Sequence, residues 1–186
     1  MDVFEAIRSR RSVRKFLDRD VDDAAIKAVL EAARWAPTGG NMQPWEFVVV
    51  RDPERKKRLV DHTYSGYLEK GGNPQRWILS APVVLVACVN QKRTGARYGE
   101  PGKRIALMDT SAAIQNVLLA ITSAGLACCW VSGFTPEGVS GVVNLPRGVE
   151  PIALLPVGYP ESIPPAPPKL DVADFVFKEE YGRDFE

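Results

Sequence analysis

Histidine is almost missing from this chain: His62 stands alone, and only three cysteines accompany it, Cys88, Cys128 and Cys129. So few ligands argue against a zinc centre built from Cys and His, and no metal site is expected. An odd cysteine count with two adjacent members and no C-x-x-C is a poor disulfide framework. All three cysteines read as small apolar residues in buried strands. A Ser-His-Asp or Cys-His mechanism would rest on His62 without visible partners. His62 therefore reads as a surface or loop residue.

A dominant charge is missing as well. Lys and Arg number 24 against 23 Asp and Glu, a net charge of +1. Bulk electrostatics thus point neither to nucleic acid nor to an anionic membrane, and any anion must be held by a local cluster. Long apolar runs are absent too: the strongest, around 82–89 and 149–157, are too short to cross a bilayer. The N-terminus opens on a charged amphipathic segment and not on the apolar core of a signal peptide, so the expected location is cytoplasmic. What remains, 45% hydrophobic and 25% charged residues over 186 positions, suits one globular domain over 1–186 with a sizeable core.

Helical spacing of Val3, Phe4 and Ile7 behind Asp2 predicts a short first helix. A second is expected from Asp22 to Trp35, closed by Pro37. Strands are expected at 47–50, 82–89, 127–131 and 151–159, and a short helix at 53–62. The longest helical pattern runs from Arg104 to Ala124 and stops at Gly125, in the position of a C-cap. Its broad apolar set suits burial on more than one side, in a core or a subunit interface. Two polar, glycine-bearing stretches within 60–104 read as long loops, functional or simply solvated. Four prolines within 164–168 force an extended path, and the apolar end at 174–185 needs a surface to pack on. An arm over 160–186 that crosses onto a partner subunit satisfies both features.

Two segments carry chemistry. Arg10-Arg11-Ser12-Val13-Arg14-Lys15 sets four cations and a hydroxyl within six positions. Guanidinium groups grip phosphate oxygens bidentately and keep their charge at any working pH. In an extended segment Arg10, Ser12 and Arg14 point to one side, Arg11 and Lys15 to the other. The second segment, Pro37 to Trp45, holds Gly39 and Gly40, which let backbone approach a ligand, and Asn41 and Gln43, which both donate and accept. A basic run can equally be a solvated face, and the loop a structured turn.

Together these segments resemble the nitroreductase family. R-x-S-x-R-x-F stands at Arg10–Phe16, and a form of A-P-S-S-G-N-x-Q-P-W at Ala36–Trp45. D-x-x-x-A-x-Q-N follows at Asp109–Asn116, G-L-x-x-C-W-x-x-G-F at Gly125–Phe134, and V-G-Y-P at Val157–Pro160. The blocks run in order through nearly the whole chain.

The resemblance implies an α+β, three-layer α/β/α fold around a mixed, largely antiparallel sheet. It implies an intertwined homodimer with FMN at the interface and NADH or NADPH as electron donor. Arg10, Arg11, Ser12 and Arg14 would bind FMN from one subunit, with Arg10 on the phosphate and Arg14 near the flavin N1–O2 edge. Pro37, Thr38, Gly39, Asn41 and Gln43 would come from the other. Gly133 would offer backbone near N5, and Lys169 would be the C-terminal phosphate cation. Three positions depart from the common pattern: Thr38-Gly39 for Ser-Ser, Ser132-Gly133 for Gly-Gly, and Lys169 for arginine. No catalytic side chain is required, because the flavin carries the chemistry while Arg14 supports its reduced charge. The implied reaction is a two-step exchange from NAD(P)H to a nitroaromatic, quinone or similar acceptor.

The alternatives are a specialised flavin enzyme of the same fold (enone reductase, dehalogenase or flavin-fragmenting), a non-catalytic flavin-binding protein, and a flavin-free dimer that binds anions or peptides. Tyr64, Tyr67, Trp77 and Tyr98 are candidates to line a substrate pocket. Arg93, Arg97, Lys103 and Arg104 are candidates for a donor 2′-phosphate. Asp109 and Gln115-Asn116 read as residues that tie neighbouring segments together.

Overall fold

The β-branched run Val83–Asn90 forms β2, the central strand of a sheet ordered β1-β2-β4-β3, with β1 at Trp45–Val50, β3 at Ala127–Cys128 and β4 at Val149–Gly158. The computed structural model describes residues 1–66 and 72–185. All pairings of the named strands are antiparallel, and the mixed character is confined to an isolated parallel bridge between Ser12 and Cys128.

Alternation along β2 separates two cores. Val83, Leu85 and Ala87 face helices α2 (Asp23–Glu31) and α5 (Pro101–Ser123), through Ile26, Val29, Ile114, Val117 and Ile121. Val84, Val86 and Cys88 face α3 (Pro53–Asp61) and α6 (Pro136–Val143), through Leu59, Val60, Val139 and Val142. The result is helix, sheet, helix. Each such buried Leu or Val contributes about 1.5–3 kcal/mol by leaving water.

The helix ends follow local chemistry. Asp2 and Asp22 cap α1 (Val3–Ser9) and α2 by accepting the amides of Glu5 and Ala25. The expected second helix tightens to a 3-10 turn at Ala32–Trp35 before Pro37. At the end of α5 Gly125 takes φ 73°, and the amides of Gly125 and Leu126 donate to Thr122 and Ile121.

Three expectations need correction, and one helix, α6, had not been expected. The second polar stretch of 60–104 is not a loop: α4 (Gln91–Tyr98), capped by Asn90, runs into the head of α5. Glycines hid it. A Cβ at Gly102 would meet the Thr94 carbonyl oxygen at 2.9 Å, so close packing of α4 on α5 requires glycine at that position. α6, of sequence PEGVSGVV, is likewise a helix against propensity, started by Pro136 and ended by left-handed Asn144. The expected strand at 127–131 pairs only at Ala127–Cys128, and Val131 rejoins β4 by one bridge to Leu154. Finally, α5 is long and apolar enough to cross a membrane by length and composition. Its buried face (Ala106, Thr110, Ala113, Ile114, Val117, Ile121) instead packs against the sheet and the helices around it.

All three cysteines are free and buried. His62 ends α3 half-buried, its imidazole against Gly138 of α6. The tail beyond Pro160 is exposed almost throughout and folds on itself, through a bridge from Phe177 to Asp184 and the contact of Phe177 with Tyr181.

Candidate functional site

Helix α1 ends where the Arg10 amide donates to the Ala6 carbonyl. The chain then runs extended beside β3: Ser12 bridges Cys128, and the Val13 amide donates to the Cys128 carbonyl at 3.2 Å. Val13 and Phe16 turn inward against Ala81 and Ala127. The polar residues between them are left on a cleft of about 590 Å³, within the ~300–1,000 Å³ usual for small-ligand sites. Arg8, Arg10, Arg11, Ser12 and Arg14 form one wall, and the proline tail with Lys169 forms the other. Lys169 lies 155 residues beyond Arg14 and still shares the cleft.

Among the described residues no acidic side chain lines this cleft, which holds five cations: Arg8, Arg10, Arg11, Arg14 and Lys169. Arg8 was missed in the sequence, although the basic run already begins there. Arg11 lies on the same cleft as Arg10 and Ser12 and does not alternate away from them, because its guanidinium folds back onto the end of α1. Its Nη1 donates to the Arg8 and Arg10 carbonyls at 2.6 and 3.0 Å, and its Nε is buried without a protein partner. Arg14 lies over the Trp77 ring at 5.8 Å, a cation–π contact. Lys15 does not line the cleft.

Cys129 lies beneath these cations. Burial pushes its thiol above the ordinary value of 9.0; Arg14, the Ser12 hydroxyl and Arg10 pull it partly back.

The second segment is elsewhere in this chain: Pro37, Thr38, Gly39, Asn41 and Gln43 do not line the cation cleft. They form a tight turn in which Gly40, Asn41 and Gln43 have φ of 57°, 58° and 47°. Two of these, Asn41 and Gln43, carry a Cβ and concentrate strain of the kind found at ligand clamps. Pro37 and Asn41 are exposed, and the Asn41 and Gln43 side chains bond each other at 3.2 Å. The Gly39 amide is not free for a ligand, since it donates to Asp109 Oδ2 at 3.0 Å.

Gly133 is the third piece. Its carbonyl accepts the Tyr64 amide at 2.8 Å and the Gln75 side chain at 3.3 Å. A Cβ here would meet the Tyr64 carbonyl oxygen at 2.5 Å, so only glycine fits. With its carbonyl held this way, the residue has its amide to offer. The segment Asn73–Ser80 links the pieces, Gln75 touching Gly133 and Trp77 lying under Arg14.

Of the aromatic candidates, Tyr98 packs on the Gly39-Gly40 turn, Tyr64 on Gly133 and Trp77 under Arg14; Tyr67 lies outside the described residues. Of the candidate donor-phosphate cations, Arg93 is paired with Glu46 and Lys103 with Glu100. Asn116 does tie α5 to the Ala32 carbonyl, at 3.2 Å, whereas Gln115 is exposed.

The pattern described as "Nitroreductase family" matches residues 7–159. A Methanothermobacter thermautotrophicus protein named as an NADH dehydrogenase/NAD(P)H nitroreductase is 34% identical over 170 residues, which cover 88% of this chain and 80% of that one. The Bacillus subtilis FMN reductase (NADPH) is 28% identical over 184 residues, 91% of this chain and 70% of its own. The crystal structure of a nitroreductase family protein from Clostridium difficile 630 matches at a TM-score of 0.80 and 30% identity, covering 97% of this chain and 99% of that one. Sequence pattern, relatives and fold coincide: this chain belongs to the nitroreductase family of oxidoreductases.

Proposed function

We propose that this chain is an FMN-dependent oxidoreductase that takes hydride from NADH or NADPH and passes electrons to a nitroaromatic, quinone or similar acceptor in a two-step exchange. It works as a cytoplasmic homodimer of one domain per chain, with residues 160–186 as an arm. The observation that carries this reading is the acid-free cleft with five cations between α1 and the arm.

The residues present fit the cofactor. Arg10, Ser12 and Lys169 suit a phosphate; Lys169 does so as a point charge and not as a fork. The buried, unpartnered Nε of Arg11 leaves a donor for the same anion. Gly133 must be glycine because the Tyr64 carbonyl oxygen fills the place of a Cβ, so it would meet a ring edge through its backbone and not through a side chain. When bound, FMN supplies the hydride-accepting and hydride-donating position. Arg14 places a permanent cation where negative charge would otherwise be costly, and the Gly133 amide, which donates to no other group among the described residues, can donate to the ring edge.

Pro37, Thr38, Gly39, Asn41 and Gln43 belong to the site of the second subunit in this reading, which agrees with their absence from the cleft of their own chain. Apolar surface supports the pairing. Val3, Phe4 and Ile7 of α1, Trp35 (80% exposed), and Leu107 and Met108 of α5 are all exposed.

The test is direct. The purified protein is expected to be yellow, to release roughly one FMN per subunit, to sediment as two chains, and to bleach anaerobically with NADH or NADPH before reoxidation by an acceptor. A colourless protein that cannot be reconstituted, or a stable flavin-loaded monomer, overturns the reading.

A further inference from the structure

We propose that Asp109 and Arg93 are positioning residues for the flavin, acting through the Pro37–Pro44 loop that they hold from both ends. The inference rests on the reading of that loop as part of the flavin site. Neither residue lines the cation cleft, and neither needs to touch the cofactor.

The loop cannot hold its own shape. Its backbone passes through left-handed torsions at Gly40, Asn41 and Gln43, two of them on residues with a Cβ. The bonds it makes within itself are long: 3.2 Å from the Asn41 amide to the Thr38 carbonyl, 3.3 Å from Met42 to Gly39, and 3.4 Å from the Gln43 amide to the Thr38 hydroxyl. Such bonds do little to offset the two unfavourable torsions at Asn41 and Gln43.

The bonds from outside are short. The Asp109 carboxylate accepts the Gly39 amide at 3.0 Å, across 70 residues of sequence. Arg93 Nη1 donates to the Gln43 carbonyl at 2.7 Å, and the Asn90 amide to the Pro44 carbonyl at 2.7 Å. Glu46 aims Arg93 by accepting its Nη2 at 2.9 Å, and also takes the Asn90 side chain at 2.8 Å. Between these anchors Arg97 and Tyr98 lie on Gly40, where a Cβ would approach them to 2.7 and 2.8 Å. α4 and the head of α5 therefore act as a seat. The Asp109 and Arg93 bonds are charge-assisted, one at each end, and so are the strongest ties.

A seat of this kind sets the direction of the Asn41 and Gln43 side chains, and with it the affinity and surroundings of the flavin. The experiment compares wild type with Asp109→Ala, Asp109→Asn, Arg93→Met and Arg93→Lys. FMN is titrated into each apoprotein, the visible spectrum and reduction potential of the bound flavin are recorded, and apoprotein stability is measured in urea. Asp109→Ala and Arg93→Met are expected to weaken FMN binding on the order of tenfold and to shift the bound-flavin spectrum and potential. Asp109→Asn keeps an acceptor for the Gly39 amide and is expected to recover much of both. Where a truncating variant does not fold, Asp109→Asn and Arg93→Lys carry the test through smaller shifts in the same direction. Wild-type uptake of FMN with variants that match it in affinity, spectrum and potential overturns the inference, whatever their stability. A wild type that takes up no FMN overturns the functional reading beneath it as well.

Discussion

Between Arg10 and Lys15 the backbone is ordinary and the side chains are unusual; between Pro37 and Pro44 the reverse holds. The first segment lies extended beside β3, anchored by the Val13 amide, and gathers its charge on a cleft that no carboxylate among the described residues lines. The second contains no charged residue, and its peculiarity is torsional: left-handed backbone at Gly40, Asn41 and Gln43. Self-repelling cations can be held by a rigid scaffold at their backs, as Val13 and Phe16 provide. A strained turn must be held by partners on its flanks. The same fold therefore prepares one surface by charge and another by shape.

The comparison can be broken most directly at Arg10. Arg10→Ala is expected to weaken FMN binding by about 2 kcal/mol, roughly thirtyfold, as the loss of a charged hydrogen bond. Urea stability of the apoprotein should stay near wild type, and the loss should shrink as salt screens the remaining cations. Unchanged affinity in a flavin titration would remove Arg10 from the site.

Gly40→Ala probes the opposite case. A Cβ at φ 57° costs about 1 kcal/mol, before Arg97 and Tyr98 shift to make room. The apoprotein itself should lose stability, visible as a lower urea midpoint, and the loss should not depend on salt. A salt-dependent loss would mean that charge, not shape, governs this loop as well.

The smallest effect uses Cys129 as a reporter of the cation segment alone. Its folded-state pKa is raised above 9.0, so the folded protein keeps a proton that the unfolded chain releases. The stabilisation is complete below 9.0 and is lost as pH rises above it. Arg14→Gln removes the nearest favourable charge, raises the thiol further and should extend the loss to higher pH. Gly40→Ala should leave the profile unchanged. Urea midpoints between pH 8 and 10.5, with Cys129→Ala as the reference, decide between the two.

How far the sequence could be read differs along the same line. The cation run, the glycines of the loop and Gly133 are chemical types visible in any linear reading, and their order carried the family. Arg93 and Gln75 have no such signature, and Asp109 is visible only as the head of a motif that ties segments together, without the partner it holds. Each is an ordinary polar residue whose role depends on a backbone group 50, 70 or 58 positions away. α4 and α6 were obscured for a related reason. Gly95, Gly102, Gly138 and Gly141 argue against helix locally, yet at Gly102 and Gly138 the tertiary packing leaves no room for a Cβ.

By itself the sequence determined the β-branched apolar run that makes β2 a buried strand, the caps that begin α1 and α2, and the charge that marks Arg10–Arg14. These depend on neighbours within a few residues. Only the tertiary structure decided that Lys169 joins that charge across one cleft, and that the Gly39 amide is held by Asp109 and so withdrawn from any ligand. Those outcomes depend on which distant groups meet. Hydrogen bonds act over about 3 Å, and no spacing along the chain specifies a distance that short between residues so far apart.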